Sequence, residues 1–281
     1  MGAMKPVVIV GCGYTGTRVA ARLLEEEVEV HATSRDPSRL RELAMLGAHV
    51  SRLDVTDAGA MREWVSEVPR GAAVLLSVPT LRLDDRVFDP TPRLVEALDD
   101  RPSRVVYLST TGVYGSAREV DESTPVDPRT ERQRLRVAAE QAVAAGPWSS
   151  LILRPAAIYG PWRGIHQSMR EGRYKLLGHG SHYVSRIHVD DLAWHSAAAL
   201  SSEVEGAYPV ADNEPCRSRE IAKFCAHLMH LPMPESVSAE EVDETRRSNR
   251  RVDGRAIREE LEIDLLYPSY HLGIRAAILA E

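Results

Sequence analysis

Val7-Val8-Ile9-Val10-Gly11-Cys12-Gly13-Tyr14-Thr15-Gly16 sets a run of β-branched residues directly before Gly-x-Gly-x-x-Gly, and the amphipathic stretch Thr17 to Glu26 follows. A buried strand, a glycine turn and a helix in that order make a cradle for a dinucleotide pyrophosphate. Gly11 permits a tight turn, Gly13 presents no Cβ to a phosphate, and Gly16 lets the helix pack closely on the strand. Tyr14 and Thr15 complete the turn, from which unpaired helical N–H groups and a positive dipole end face the phosphates. A plain strand-turn-helix is the alternative reading of the same residues.

The second strand, Val28-Glu29-Val30-His31-Ala32-Thr33, ends in Ser34-Arg35. An acid about 20 residues after the glycines usually takes the ribose hydroxyls of NAD. Here a hydroxyl and a guanidinium stand in its place. A planar guanidinium binds a phosphate in bidentate fashion, so Ser34 and Arg35 favour the 2′-phosphate of NADP over NAD. The alternative for Arg35 is a solvated loop residue.

Further β-rich runs at His49–Leu53, Ala73–Val78, Arg104–Ser109, Leu151–Arg154 and Ala207–Val210 alternate with helical patterns. The alternation predicts an α/β fold, a Rossmann-type doubly wound parallel sheet, whose ligands lie beyond the carboxyl ends of the strands. Residues just past those ends are therefore cofactor candidates: Ser77 and Pro79 after the fourth strand, Pro155 after the sixth, and Asp54 after the third. Asp54 suits an adenine amino group or the cap of a helix over Ala58–Val68, and the sequence leaves that choice open. The expected division is a nucleotide domain over 4–160 with a return at 186–212. A smaller, partly discontinuous lobe for substrate takes 161–185 and 213–281.

With 281 residues, 43% hydrophobic composition and a net charge of −6, the chain can bury a substantial core and lacks the basic balance of a nucleic-acid protein. Arg246-Arg247-Ser248-Asn249-Arg250-Arg251 is a local basic run, expected to be solvated or ion-paired. No apolar stretch approaches the roughly 20 residues that span a bilayer, so no membrane is expected. Met1-Gly2-Ala3 ahead of Met4 reads as a vector-derived extension, not a signal peptide. Cys12, Cys216 and Cys225 are odd in number and irregularly spaced, which suggests reduced thiols in a cytoplasm. No metal site is expected; His227 and His230 read as a helix-surface pair.

Beyond the glycine loop come Val105-Val106-Tyr107-Leu108-Ser109-Thr110-Thr111-Gly112-Val113-Tyr114-Gly115, Val120-Asp121-Glu122-Ser123-Thr124-Pro125 and Ala138-Ala139-Glu140-Gln141. Leu153-Arg154-Pro155-Ala156-Ala157-Ile158-Tyr159-Gly160-Pro161 and Ile187-His188-Val189-Asp190-Asp191 follow. In this order the motifs resemble the extended short-chain dehydrogenase/reductase superfamily, NAD-dependent epimerase/dehydratase group, over almost the whole chain. The resemblance implies a hydroxyl at Thr110 and a Tyr-x-x-x-Lys pair eight and four residues before Glu140-Gln141. Those two positions hold Arg132 and Arg136, and the family's first glycine is replaced by Val10. The departures resemble the atypical, YeeZ-like branch, whose members keep the nucleotide fold and often lose the catalytic residues.

The loss matters because the family tyrosine moves a proton at the substrate oxygen. Arginine stays protonated, so Arg132 cannot be a base. Arg136 can still supply a fixed cation near the nicotinamide ribose, Thr110 can orient a carbonyl, and Tyr114 is a substitute acid in reach of the cleft mouth. Arg132, Tyr159 and Arg163 are expected on the substrate side, the arginines for a carboxylate or phosphate. The expected function is an NADP-dependent oxidoreductase or epimerase-like enzyme acting on a small polar or carbonyl substrate. A non-catalytic NADP sensor and, more narrowly, a nucleotide-sugar epimerase or dehydratase are the alternatives. A homodimer through the stretch Arg129–Ala145 is implied only by the resemblance.

Overall fold

The computed structural model describes residues 5–83, 86–241 and 247–281, so the expectations for Met1–Ala3 and Arg246 lie outside it. Strands β1 (Val7–Val10), β2 (Val30–Ser34), β3 (His49–Arg52), β4 (Ala73–Leu76), β5 (Arg104–Leu108), β6 (Ser149–Pro155) and β7 (Gly206–Val210) form one seven-stranded sheet in the order 7-6-5-4-1-2-3. Every neighbouring pair is parallel. This is the expected doubly wound arrangement. The chain reverses direction across the sheet between β1 and β4, where such sheets open a ligand crevice.

The helices are α1 (Gly16–Glu25), α2 (Arg41–Met45), α3 (Ala58–Val65), α4 (Thr91–Leu98), α5 (Glu131–Ala144), α6 (Ile165–Arg170), α7 (Val189–Ser201), α8 (Ser218–Met229), α9 (Arg255–Glu260) and α10 (Tyr270–Leu279). β1 shows why its sequence is unbroken by polar residues. Val7 and Ile9 enter a core with Val19 and Leu23 of α1 and Leu192 and Leu200 of α7. Val8 and Val10 enter the opposite core with Met61 and Trp64 of α3, Leu94 of α4 and Val143 of α5. A parallel sheet covered by helices on both faces has no polar side to show. Each such side chain contributes about 1.5–3 kcal/mol, so a charge at Ile9 or Val10 would detach one helical layer.

Met169 of α6, Ile221 and Cys225 of α8, and Tyr270 and Ile274 of α10 build a third cluster with Tyr159. A fourth joins Val113, Tyr114 and Val120 to Ala156, Ala211 and Val252. α3 stops at Val65, short of the expected Val68, and its cap is Asp57, whose carboxylate accepts from Gly59 N at 2.7 Å and Ala60 N at 3.1 Å. The three cysteines are free and buried. Among the described residues no helix is long and apolar enough to cross a membrane.

Candidate functional site: the crevice at the strand ends

The glycine turn after β1 has the geometry its spacing predicts. Gly11 sits at φ +80°, and a Cβ there would stand 2.9 Å from Val78 Cγ2 and 3.1 Å from the Ser77 carbonyl oxygen. A Cβ on Gly16 would lie 3.1 Å from Ile9 Cγ2, which explains the tight seat of α1. Gly13 differs: among the described residues a Cβ there would have only the Gly11 carbonyl oxygen within 4 Å, at 3.9 Å, so the space above it is open. No side chain caps α1, whose preceding residue Thr15 is buried. Thr17 N and Arg18 N are taken by the Gly13 and Thr15 carbonyls at 2.9 and 3.0 Å, which leaves the amides from Tyr14 to Gly16 to meet a ligand beside the open space. Thr33 fastens the turn to β2, its hydroxyl accepting from Gly11 N at 3.3 Å and its carbonyl from Cys12 N at 2.8 Å. Burial pushes the Cys12 thiol up to about 12, leaving an unreactive side chain inside the loop. Ser77, whose N–H donates to the Val10 carbonyl at 2.9 Å, and the exposed Pro79 follow β4 beside the turn. Pro155 closes β6 and is buried.

Tyr14 turns away from this opening. Its hydroxyl donates to the Pro161 carbonyl at 2.9 Å, and burial pushes the phenol up to about 12. The guanidinium carbons of Arg18 and Arg163 lie over its ring, 4.4 and 5.1 Å from the centroid. Arg163 therefore stacks on the glycine loop, closer to the cofactor cradle than its expected substrate role implies. At the end of β2, Ser34 is half-buried and Arg35 exposed. Register places Arg52 of β3 directly beside Ser34. Asp54 accepts from Thr56 N at 3.0 Å and Thr56 Oγ1 at 2.8 Å, and does not cap α3. These bonds, helped by the charges of Arg35 and Arg52, hold its carboxyl below the usual range.

The ends of β5 and β6 correct several expectations. Tyr114 is fully buried, its hydroxyl accepting from Arg154 Nη1 at 3.1 Å; burial raises its pKa, and it is not at the cleft mouth. The cause is the turn Thr111–Tyr114, which folds the ring into the fourth cluster. Arg154 in turn grips Glu140 at 2.7 and 3.1 Å, and Glu140 accepts from the Ser109 hydroxyl. Arg136 is buried as well. It donates to the Asp89 carboxylate at 3.1 Å, the Val78 carbonyl at 3.2 Å and the Tyr107 hydroxyl, so its guanidinium braces the wall after β4. Tyr159 lies beneath α10, where Gly273 leaves room for its hydroxyl, with its ring edge-on to His188. It is buried away from the crevice, and burial raises its pKa. Arg132 is exposed on the first turn of α5. Thr110 is the expected catalytic side chain that stays part-exposed: its hydroxyl accepts from Gly112 N at 3.0 Å, leaving its own hydrogen to donate.

One further side chain was misjudged in the sequence. Arg250, expected to be solvated or ion-paired, is buried and donates to the carbonyls of Thr111, Gly115 and Ala117, holding the turn after Thr110 in place. Its neighbour Arg251 does form an ion pair, with Glu119. α7 opens with two acids, Asp190 and Asp191, but its cap is His188, whose Nδ1 accepts from Asp190 N at 3.3 Å. Asp190 pairs with Arg18 at 3.0 Å, and Asp191 accepts from Leu266 N at 2.7 Å and Tyr267 N at 3.1 Å, tying a distant segment to the sheet. Neither role has a local sequence signal.

Comparison with known proteins agrees with this architecture. Residues 7–211 match the model of the NAD dependent epimerase/dehydratase family. Protein YeeZ of Escherichia coli (strain K12) is 27% identical over 94% of this chain and 97% of its own length. A Streptomyces 3-diazoavenalumate denitrifying reductase is 27% identical over 84% of this chain and 85% of its own. The solved structure of a functionally unknown conserved protein from Silicibacter pomeroyi is 30% identical, covers 99% of both chains and superposes with a TM-score of 0.81. With the sheet order, the glycine turn and the replaced Tyr-x-x-x-Lys pair all in view, the chain belongs to the NAD dependent epimerase/dehydratase family, as an atypical, YeeZ-like member of the extended short-chain dehydrogenase/reductase superfamily.

Proposed function

We propose that this chain binds NADP and works as an oxidoreductase or epimerase-like enzyme on a small polar or carbonyl substrate. The open space above Gly13, continuous in sequence with a β2 that ends in exposed Arg35, carries the reading. A bound nicotinamide supplies or accepts hydride. The chain's own residues do the rest: the glycine turn seats the pyrophosphate, and Ser34 and Arg35 take the 2′-phosphate, with Arg52 alongside. Asp54 is left to meet the adenine. Thr110 donates a hydrogen bond to the substrate oxygen, while Arg136, through the Val78 carbonyl, fixes the wall opposite. Arg132 receives an anionic group of the substrate, and Arg163 stays stacked on Tyr14 of the glycine loop. Reductase chemistry in the Streptomyces relative supports the choice of reaction class.

One observation favours a second reading, a non-catalytic NADP sensor: the side chains of Tyr114, Tyr159 and Arg136 are all enclosed in the protein interior. Calorimetric titration with NADP and NAD tests the shared premise. Tighter binding of NADP is expected, and failure to bind either coenzyme would remove both readings. Incubation with NADPH and a panel of aldehydes, ketones and sugar nucleotides, followed at the reduced-nicotinamide absorbance, then separates enzyme from sensor.

A further inference from the structure

The amino ends of β2 and β3 lie at the opposite end of the sheet from the glycine cradle and carry a cluster that the cofactor does not touch. We propose that Glu29, His31 and His49 form a binding site for a divalent transition-metal ion of the zinc class. The proposal is independent of the cofactor reading. Register pairs His31 with His49 on adjacent parallel strands. Glu29 precedes His31 by two residues, and the strand period of two returns it to the same face. His31 Nε2 lies 2.8 Å from Glu29 Oε1, and the two imidazoles are stacked with centroids 4.7 Å apart and planes 26° from parallel. The three donor atoms all lie within 4.8 Å of one another.

A tetrahedral ion with bonds of about 2.0–2.2 Å requires donors roughly 3.4 Å apart. Stacked rings also aim their lone pairs side by side, so they converge only after the rings turn about Cβ–Cγ. Both adjustments are open to these residues, because β3 is the edge strand and Glu29 and His49 are exposed. The donor set decides the ion. Two imidazoles and a carboxylate suit zinc, nickel or copper, whereas calcium and magnesium take oxygen ligands. Water completes the shell on the solvent side. Occupancy ties the edge strand to its neighbour and stabilises the folded chain by mass action.

Titration of the tag-free chain with ZnCl2 by calorimetry, with His31→Ala, His49→Ala and the shape-conserving His49→Asn in parallel, tests the site. One equivalent of zinc is expected to bind and raise the melting temperature. Each substitution should weaken binding about tenfold or more while metal-free melting of the exposed His49→Asn variant stays put. NADP affinity should be the same with and without zinc. No zinc binding by the wild-type chain, or equal binding by all the variants, overturns the proposal.

Discussion

The two sides of the crevice use the same kind of position, the loop after a parallel strand, in opposite ways. On the β1–β2 side the loops end in open space: among the described residues nothing stands above Gly13 except its own turn, and Arg35 is exposed. On the β5–β6 side Arg154, Glu140, Tyr114, Arg136 and Asp89 are buried and bonded to one another or to backbone. The contrast teaches that cofactor-receiving hardware and proton-moving hardware are separable. The first needs only backbone shape and one peripheral charge, whereas the second needs a titratable group left unengaged at the strand end, and here those groups have become struts.

The largest effect should come from pulling out a strut. Glu140→Ala leaves Arg154 buried without its counter-ion, with side-chain exposures of 10% and 5% for Arg154 and Glu140, and should cost about 3–5 kcal/mol in urea denaturation. A cost under about 1 kcal/mol would mean that this side is not structurally committed. Gly13→Val attacks the other side. Because its Cβ meets open space, stability should hold while NADP binding falls by about a hundredfold or more, near 3 kcal/mol by calorimetry. Normal binding would show that the cradle does not receive phosphate.

Asp212, just past β7, sharpens the comparison through pH. Burial, partly offset by Arg186, pushes its carboxyl up to about 7 from 3.8. The folded state then holds a proton that the unfolded state has lost, so this group's contribution to stability declines as pH rises from about 4 through about 7. Asp212→Asn removes that decline. Its stability relative to the wild type should improve by ~2–3 kcal/mol between pH 5 and pH 8, while titrating groups remote from Asp212, common to both proteins, cancel in the difference. A difference independent of pH would place a solvated carboxylate there.

Arg35→Asp should weaken NADP binding tenfold to a hundredfold, about 1.4–2.8 kcal/mol, and leave NAD nearly unchanged. Equal losses for both would detach Arg35 from the 2′-phosphate. The smallest expected effect is Thr110→Val, which should keep cofactor affinity and slow any turnover about tenfold, the value of one lost hydrogen bond to a reacting oxygen.

How much of this was legible beforehand follows the same division. Val7 to Gly16 announced strand, turn and helix because the physics there is local: an unbroken apolar run, missing Cβ atoms, a helix start. Arg136 and Tyr114 were misplaced because their partners are remote, Asp89 at a separation of 47 residues and Arg154 at 40. No spacing rule signals a phenol that will face an arginine from another strand. Arg250 was hidden by its company, since a run of arginines predicts solvation, and only the folded chain shows which of them points inward at three carbonyl oxygens. The helix α10 carried no motif at all, and its identity rests on Tyr270, Ile274 and Ala277 meeting a cluster supplied by other elements.

The grip of Arg250 on the Thr111 carbonyl spans 139 residues. The bend beside Thr110 thus waits on a segment made long after it, and translation order becomes assembly order. During synthesis the pyrophosphate turn can close first, as a product of its own neighbourhood, whereas the far wall of the crevice acquires its shape only when that late arginine docks.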